Sequence, residues 1–479
     1  MNKLLEQLRP IVYLSSNPLS LAGVVVVTLG GGLWLFLLPT LLRGQAQNRY
    51  LGIPAFLILP GVFFLGLILI PAGILLRRAR LRKRGLPMTD LPPLTFANVE
   101  LRRLLAFVAA TTFANVIIAT QWGYSAVHYM DSDRFCGLTC HKVMAPEYTA
   151  YQNSPHSHVG CSGCHIGAGA SWFVKAKISG VSQLFHVLLN NYPKPIPSPV
   201  ENLRPARETC EECHWPQRFS GDVFSVRTSY TSTEQNEAAY TVLLLKVGGH
   251  TWKGGVGIHG AHLDPKSSIV YTSTDRKRQT IPQVTYTAPN GKVTVYNAND
   301  IKVTAQELAR GEKRGMDCMD CHNRPAHTFE LPERAVDRAL GEGRISPQLP
   351  FIRKKAVEVL EGKYSDADAA ARGIAESLQS FYQSKYPQVR ATDIKNAVET
   401  VKTIYAQNVF PDMNVSWGLY PNNIGHMDSP GCFRCHDGNH VSAEGSAIPN
   451  DCATCHDILA MEEKSPKVLN DLGYRGTKQ

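Results

Sequence analysis

Five times in this chain two cysteines stand two residues apart with a histidine directly behind them: Cys161/Cys164/His165, Cys210/Cys213/His214, Cys318/Cys321/His322, Cys432/Cys435/His436 and Cys452/Cys455/His456. A sixth group, Cys136-Gly137-Leu138-Thr139-Cys140-His141, carries one residue more between its cysteines. Together they use all twelve cysteines of the 479-residue chain. A disulfide framework has no reason to place a histidine after every pair. A thioredoxin-like site would occur once, and structural zinc needs pairs of pairs. Two thiols and an adjacent imidazole at this spacing suit covalent attachment of haem c, with the thiols as thioethers and the histidine on one face of the iron. Six haem c groups are expected, attached outside the cytoplasm.

An iron held on one face needs a ligand on the other. Ten histidines lie outside the motifs, more than six irons require, so bis-histidine ligation suited to electron transfer is expected. His156 and His158 precede the second motif, His327 follows the fourth, and His426 and His440 flank the fifth. These five are the leading distal candidates. His186 sits in an apolar helical pattern and reads equally well as a core residue. His250, His259 and His262, in HTWKGGVGIHGAH, are placed behind them, and His128 ends an apolar stretch.

These residues must be carried by something anchored. Leu19–Leu42, Leu51–Leu76 and roughly Leu104–Val127 are apolar runs without a charged side chain, and about 20 such residues cross a bilayer. An uncleaved first span is favoured, because no A-x-A cleavage site follows it. The first 130 residues hold 12 Lys+Arg against 3 Asp+Glu, and the rest hold 38 against 37. The +10 net charge is therefore a membrane-topology signal and excludes nucleic-acid binding as its explanation. The run RRARLRKRG between spans two and three marks the cytoplasmic side. The N-terminus is then cytoplasmic, and the third span delivers the cysteine motifs to the periplasm of a bacterial inner membrane.

The expected fold is mainly α: three transmembrane helices followed by a periplasmic multihaem c domain with a small β-rich insert. The anchor is 1–130, a first haem domain with three motifs is 131–220, the insert is 221–305, and a C-terminal haem domain with three motifs is 306–479. Within the insert, AYTVLLLKV, SIVYTST and QVTYTAPNGKVTVY read as strands, with Asn290-Gly291 as a hairpin turn. Residues 331–408 read as helices, with Ser365 and Thr392 as caps. NYPKPIPSPVENLRP (191–205) reads as an extended connector. Little room for a large apolar core is expected outside the membrane, where loops and short helices would wrap the cofactors.

The span ending at Val127, FCGLTCHKVMAPEY, SPHSHVGCSGCH, SWFVKAKISGVSQLFH and CEECH resemble the NapC/NirT family of membrane-anchored quinol dehydrogenases. The likeness is strongest over about 104–214. The longer remainder looks like the extended inner-membrane cytochromes of metal-reducing bacteria. The resemblance implies that the first haem lies at the membrane surface with unusual ligation. A methionine after the motif, here Met144, would replace the motif histidine, with His141 as the alternative; the family spacing CxxCHxM is CxxxCHxxM in this chain. It also implies a quinol-site lysine, matched by Lys177 or Lys175, with spacing favouring Lys177. Such a residue would accept the quinol proton.

The expected function is oxidation of membrane quinol and relay of electrons through six haems to a periplasmic cytochrome or reductase. Inner-membrane lipid is an expected partner, and further membrane subunits are allowed. The alternatives are an electron-wiring subunit without its own quinol site and a terminal multihaem reductase of a small anion.

Overall fold

The computed structural model describes residues 10, 12–42, 59–85, 97, 99–139, 141–167, 169–200, 203–215, 221–249 and 256–474. The chain divides into two units, 1–131 and 132–479.

The first unit holds three helices: α1 (Pro18–Leu42), α2 (Leu59–Lys83) and α3 (Val99–Met130). Leu59–Lys83 and Leu101–Met130 are long and apolar enough to cross a membrane, whereas the assessed apolar part of α1 is the shorter Pro18–Leu33. Glycines bring α1 and α2 together as an antiparallel pair. Gly23 lies against Gly66, Gly30 against Val62 and Phe63, and Gly73 against Ser20 and Asn17. Such small residues let helix backbones approach where lipid supplies no hydrophobic drive. The approach is close enough for Ser20 Oγ to donate to the Ile70 carbonyl at 2.9 Å. At the end of the pair Arg77 Nη1 donates to the Ser16 carbonyl at 2.7 Å.

In the second unit two antiparallel sheets form. β1 (Val223–Tyr230), β2 (Ala238–Leu245) and β8 (His456–Glu463) make one, in the order β1-β2-β8. The other has the order β6-β3-β4-β5-β7, from Glu312–Gly315, Ser268–Ser273, Gln283–Thr287, Val293–Ala298 and His440–Ser442. The Asn290-Gly291 turn joins β4 to β5, with Gly291 at φ 83°, a conformation that costs glycine little. Residues 221–305 do not form sheets by themselves. Each sheet is completed by strands from beyond residue 305, so the expected boundary between insert and C-terminal domain is not a structural one. The unpaired edges of β2, β3 and β5 recruit those strands, because open edges leave backbone groups without partners.

A second departure concerns the core. Helices Pro332–Gly341, Ile352–Leu360, Ala367–Lys385 and Ala391–Asn408 pack around Leu340, Ile352, Leu360, Ile374, Leu378, Tyr382, Val401 and Ile404, all at 2 % exposure or less. This apolar core was not expected in the exported part, and it contains no cysteine motif. The apolar positions recur every three or four residues along the two longer helices, which closes a stripe onto the core. Trp417 Nε1 donates to the Leu360 carbonyl at 2.9 Å and Tyr382 Oη to that of Pro350 at 2.9 Å. The caps also differ from expectation. Asp366, not Ser365, accepts the Ala369 N–H at 2.7 Å, and Thr392 lies inside a helix that starts at Ala391. Asn236, at the turn between β1 and β2, fastens the first sheet to this core. Its side-chain amide donates to the Leu349 carbonyl at 2.8 Å and its oxygen accepts the Arg353 N–H at 3.0 Å.

Candidate haem-attachment sites

In the regular motifs the chain makes a single tight turn. Cys161–His165, Cys318–Cys321 and Cys452–Cys455 are one-turn helices, and Gly431–Arg434 is a 3-10 turn. The histidine N–H returns to the carbonyl of the first cysteine in three motifs: His214 to Cys210 at 2.7 Å, His322 to Cys318 at 2.8 Å, and His436 to Cys432 at 3.0 Å. A helical turn sets residues three and four apart on one face, so both thiols and the imidazole emerge together.

The first motif solves its extra residue differently. Phe135–Thr139 is a π-helical turn, the wider helix whose single turns absorb an inserted residue and recur at functional sites. Gly137 is needed there, since a Cβ would overlap the Tyr148 ring. A helix, His141–Gln152, begins at once. His141 and Met144, three apart, share one of its faces. Cys140 and the side chain of His141 lie outside the described residues.

Each of the other five motif histidines faces one histidine from elsewhere. Ring centroids are 6.1 Å apart for His165 and His327, 6.1 Å for His214 and His156, 6.4 Å for His322 and His259, 5.8 Å for His436 and His262, and 6.3 Å for His456 and His426. An imidazole nitrogen binds a metal at about 2 Å, so two rings on opposite faces of one ion have centroids about 6 Å apart. Among the described residues no group of three or more His, Cys, Asp or Glu side chains gathers as it would round a bare ion. Two axial rings beside a pair of thiols leave the equatorial positions to a planar, covalently tethered ligand. The residues fit haem c.

Backbone carbonyls orient several of these rings. The Nδ1–H of His327 donates to the Glu147 carbonyl at 2.9 Å, that of His156 to Pro325 at 3.2 Å, that of His262 to Ile258 at 2.8 Å, and that of His436 to Pro449 at 2.5 Å. This fixes the tautomer and leaves Nε2 with its lone pair for a metal. Arg324 adds a further clamp, bonding Glu147 at 3.0 Å and the His327 carbonyl at 2.7 Å. Burial pushes the pKa of His165, His259, His262, His322, His327 and His456 below the ordinary value. Rings so placed stay neutral, the form that ligates.

Three of the leading distal candidates, His156, His327 and His426, thus stand opposite motif histidines, though not always those nearest in sequence. His156 precedes the second motif and faces the third; His327 follows the fourth and faces the second. His440 departs from expectation. It is wholly buried, with Nδ1 at 2.9 Å from Asp437 Oδ1 and Nε2 at 2.8 Å from the Ile281 carbonyl, so neither nitrogen is left for a metal. His158 is exposed, and no ring contact with a motif histidine is seen for it among the described residues. His186 Nδ1 meets Asn191 Oδ1 at 2.8 Å. His250 lies outside the described residues.

His259 and His262 were placed too low. They sit on the short helix Ile258–Leu263, three residues apart and so on one face, where they serve two neighbouring motifs. The signal was their glycines. A Cβ on Gly257 or Gly260 would overlap the carbonyl of Gly248 or Gly249, so the helix lies directly on the chain leaving β2. Ile258 N–H donates to the Lys246 carbonyl at 2.7 Å.

Lys175 and Lys177 lie on the helix Ala170–Leu188, with Nζ 4.6 Å from the Trp172 ring and 5.0 Å from the Phe173 ring, respectively. By helical spacing Lys177 falls on the side that carries Val174, Ile178, Val181, Leu184 and Leu188, all exposed, and Lys175 falls on the polar side.

Residues 99–195 match the N-terminal region of the NapC/NirT cytochrome c family. The chain is 39% identical over 452 residues to the cytochrome c-type protein ImcH of Geobacter sulfurreducens, covering 93% of this chain and 88% of that protein. No solved structure matches. Apolar helices, cysteine–histidine turns built for covalent haem, and this likeness along nearly the whole chain agree: the chain is a membrane-anchored, electron-transferring c-type cytochrome and belongs to the NapC/NirT cytochrome c family.

Proposed function

We propose that the protein oxidises membrane quinol at the periplasmic face of the inner membrane and passes the electrons through six haems to a periplasmic acceptor. The observation that carries this reading is the set of five opposed histidine pairs following a membrane anchor. Bound haem supplies reversible one-electron capacity. His165/His327, His214/His156, His322/His259, His436/His262 and His456/His426 close both faces of five irons, which suits electron transfer and leaves no open position for substrate at those sites.

The first motif stands apart. Cys136 follows the end of α3 at Met130 by a few residues, and its π-turn changes how His141 meets an iron. Met144 or His141 would hold that iron, and a weak second ligand there leaves room for a quinol head group. Lys177, a lone cation on an apolar helix side, takes the hydroxyl proton as quinol is oxidised. The basic end of α2, Arg77 to Arg84, stays cytoplasmic, which sends α3 outward.

The test is anaerobic mixing of the oxidised protein with a reduced menaquinol analogue while haem absorbance is followed. Reduction that is blocked by a quinol-site inhibitor and slowed at least tenfold in Lys177→Met supports the proposal. Haems that stay oxidised with quinol yet reduce with dithionite refute it and favour a relay fed by another subunit.

A further inference from the structure

The six motifs are in contact in sequence order. Between the first and second, Asp133 Oδ1 accepts the Cys161 N–H at 2.6 Å, and the Cys136 and Cys161 thiols hydrogen-bond. The second and third meet where the turn Cys161–His165 touches the helix Ala206–Cys210, with Cys164 facing Cys213. The third and fourth meet where that helix touches Cys318–Cys321, with the Cys210 and Cys318 thiols bonded. Between the fourth and fifth, Arg434, buried inside the fifth motif, donates from Nη2 to the carbonyl of Asp320 inside the fourth at 2.6 Å. Between the fifth and sixth, the His426 ring stacks on Phe433 of the fifth at 4.2 Å and faces His456 of the sixth at 6.3 Å.

The second, third and fourth motifs share a further regularity. Each turns one cysteine toward its predecessor and the other toward its successor: Cys161 and Cys164, Cys213 and Cys210, Cys318 and Cys321, the last facing Cys432. Thioethers sit on one edge of a haem, so cysteines that face each other bring haem edges together. The distal histidines tighten the same order. His259 and His262 stand three apart on one short helix and serve the fourth and fifth sites.

We infer that the chain sets its six attachment sites in one unbranched file in sequence order, and that the sixth site, at Cys452–His456, is the outlet to a soluble one-electron carrier of the c-type cytochrome class. The outlet rests on the proposed entry at the first site; the file itself does not. Each hand-over moves one electron. One iron goes from ferric to ferrous as its predecessor goes from ferrous to ferric, no proton moves and no bond changes. A two-electron donor therefore serves two molecules of acceptor. The edge is accessible at the far end, where Cys452, Ala453 and Thr454 are exposed.

The file is tested without quinol. The full-length, haem-loaded protein is compared with Cys452→Ser/Cys455→Ser and with Cys210→Ser/Cys213→Ser, each checked by mass for loss of a single haem. In the oxidised state, low-spin ferric neighbours couple magnetically. Loss of the sixth site should alter the paramagnetic resonance signal of one remaining haem, and loss of the third should alter two. Two or more altered by loss of the sixth, or one by loss of the third, overturns the file. The outlet is tested with protein reduced by dithionite, freed of excess reductant and mixed with an oxidised soluble monohaem cytochrome c. Loss of the sixth site should slow re-oxidation at least tenfold, and an unchanged rate overturns the outlet. If either variant fails to accumulate, His426→Met labels the sixth site and His156→Met the third with all six haems in place. The file then requires one neighbouring signal to shift in the former and two in the latter.

Discussion

Replacing His259 with methionine is the sharpest test of the ligand assignments, because nothing in the linear sequence ties this residue to the fourth motif. His259 lies 6.4 Å from His322, ring centre to ring centre. A methionine sulfur reaches the same iron face and keeps it six-coordinate. Axial ligand choice tunes haem potentials over roughly 0.8 V, and His/Met pairs lie higher than His/His pairs. Site four is one of six motifs. About one sixth of the total absorbance change in an anaerobic spectroelectrochemical titration should therefore move to higher potential, with the rest in place. His440→Met is the control. That ring is held by Asp437 and the Ile281 carbonyl, so its loss should shift no wave. It should destabilise the fold by about 1–3 kcal/mol through the buried partners left unsatisfied. A His259→Met curve that superimposes on the parent curve refutes the assignment, as does a shifted His440→Met wave.

The motif-free helical core should respond independently of the haems. Ile374→Ala, at a fully buried position, should cost about 2–5 kcal/mol in thermal or denaturant unfolding while the haem spectrum of the folded state is unchanged. In the membrane unit, Gly66→Leu would force side-chain atoms into Val27, since even a Cβ lies 2.8 Å from it; lower yield and thermal stability in detergent should follow, at a cost of about 1–3 kcal/mol or more. Acid should loosen the junction of the first two motifs. Burial raises the Asp133 pKa, but hydrogen bonds from the Cys161 N–H and the Tyr151 hydroxyl outweigh it and hold the carboxyl below its ordinary 3.8. A depressed pKa stabilises the fold above that ordinary value, and the contribution fades as pH falls through the lower, folded-state value. Asp133→Asn should therefore lose stability at neutral pH and show a smaller further loss between pH 5 and 2, read from the haem spectrum during acid titration.

The chemistry was more legible than the architecture. Cysteine and histidine spacing is local, so one turn of chain displays it whole, and His156, His327 and His426 could be picked by nearness to motifs. Which motif each serves is a non-local fact. His327 reaches His165 because Arg324 and Glu147 bring two distant segments together, and no local pattern encodes that. His440 misled because a histidine beside a motif looks the same whether it binds iron or a carboxylate. The strands were visible as β-branched runs, but β6, β7 and β8 are short or charged and gain strand character only from the edges they complete. The helical core was missed although its periodicity was in view, because cofactors were expected to replace an apolar core throughout the exported part.

The closing strands also set the order in which the chain can assemble. β8 starts at His456, immediately behind the last cysteine, and pairs with β2, so the first sheet stays open until the final motif has been exported. β5 likewise waits for β7. The helices between 332 and 408 depend mostly on near neighbours, and low contact order favours their early formation. The thiols of every motif are thus presented on an unclosed chain for as long as export lasts, the interval in which thioether formation must take place. A chain that stops short of residue 456 keeps its attachment sites up to the fifth but leaves β2 as a bare edge, and its fate is aggregation and proteolysis instead of a shorter wire.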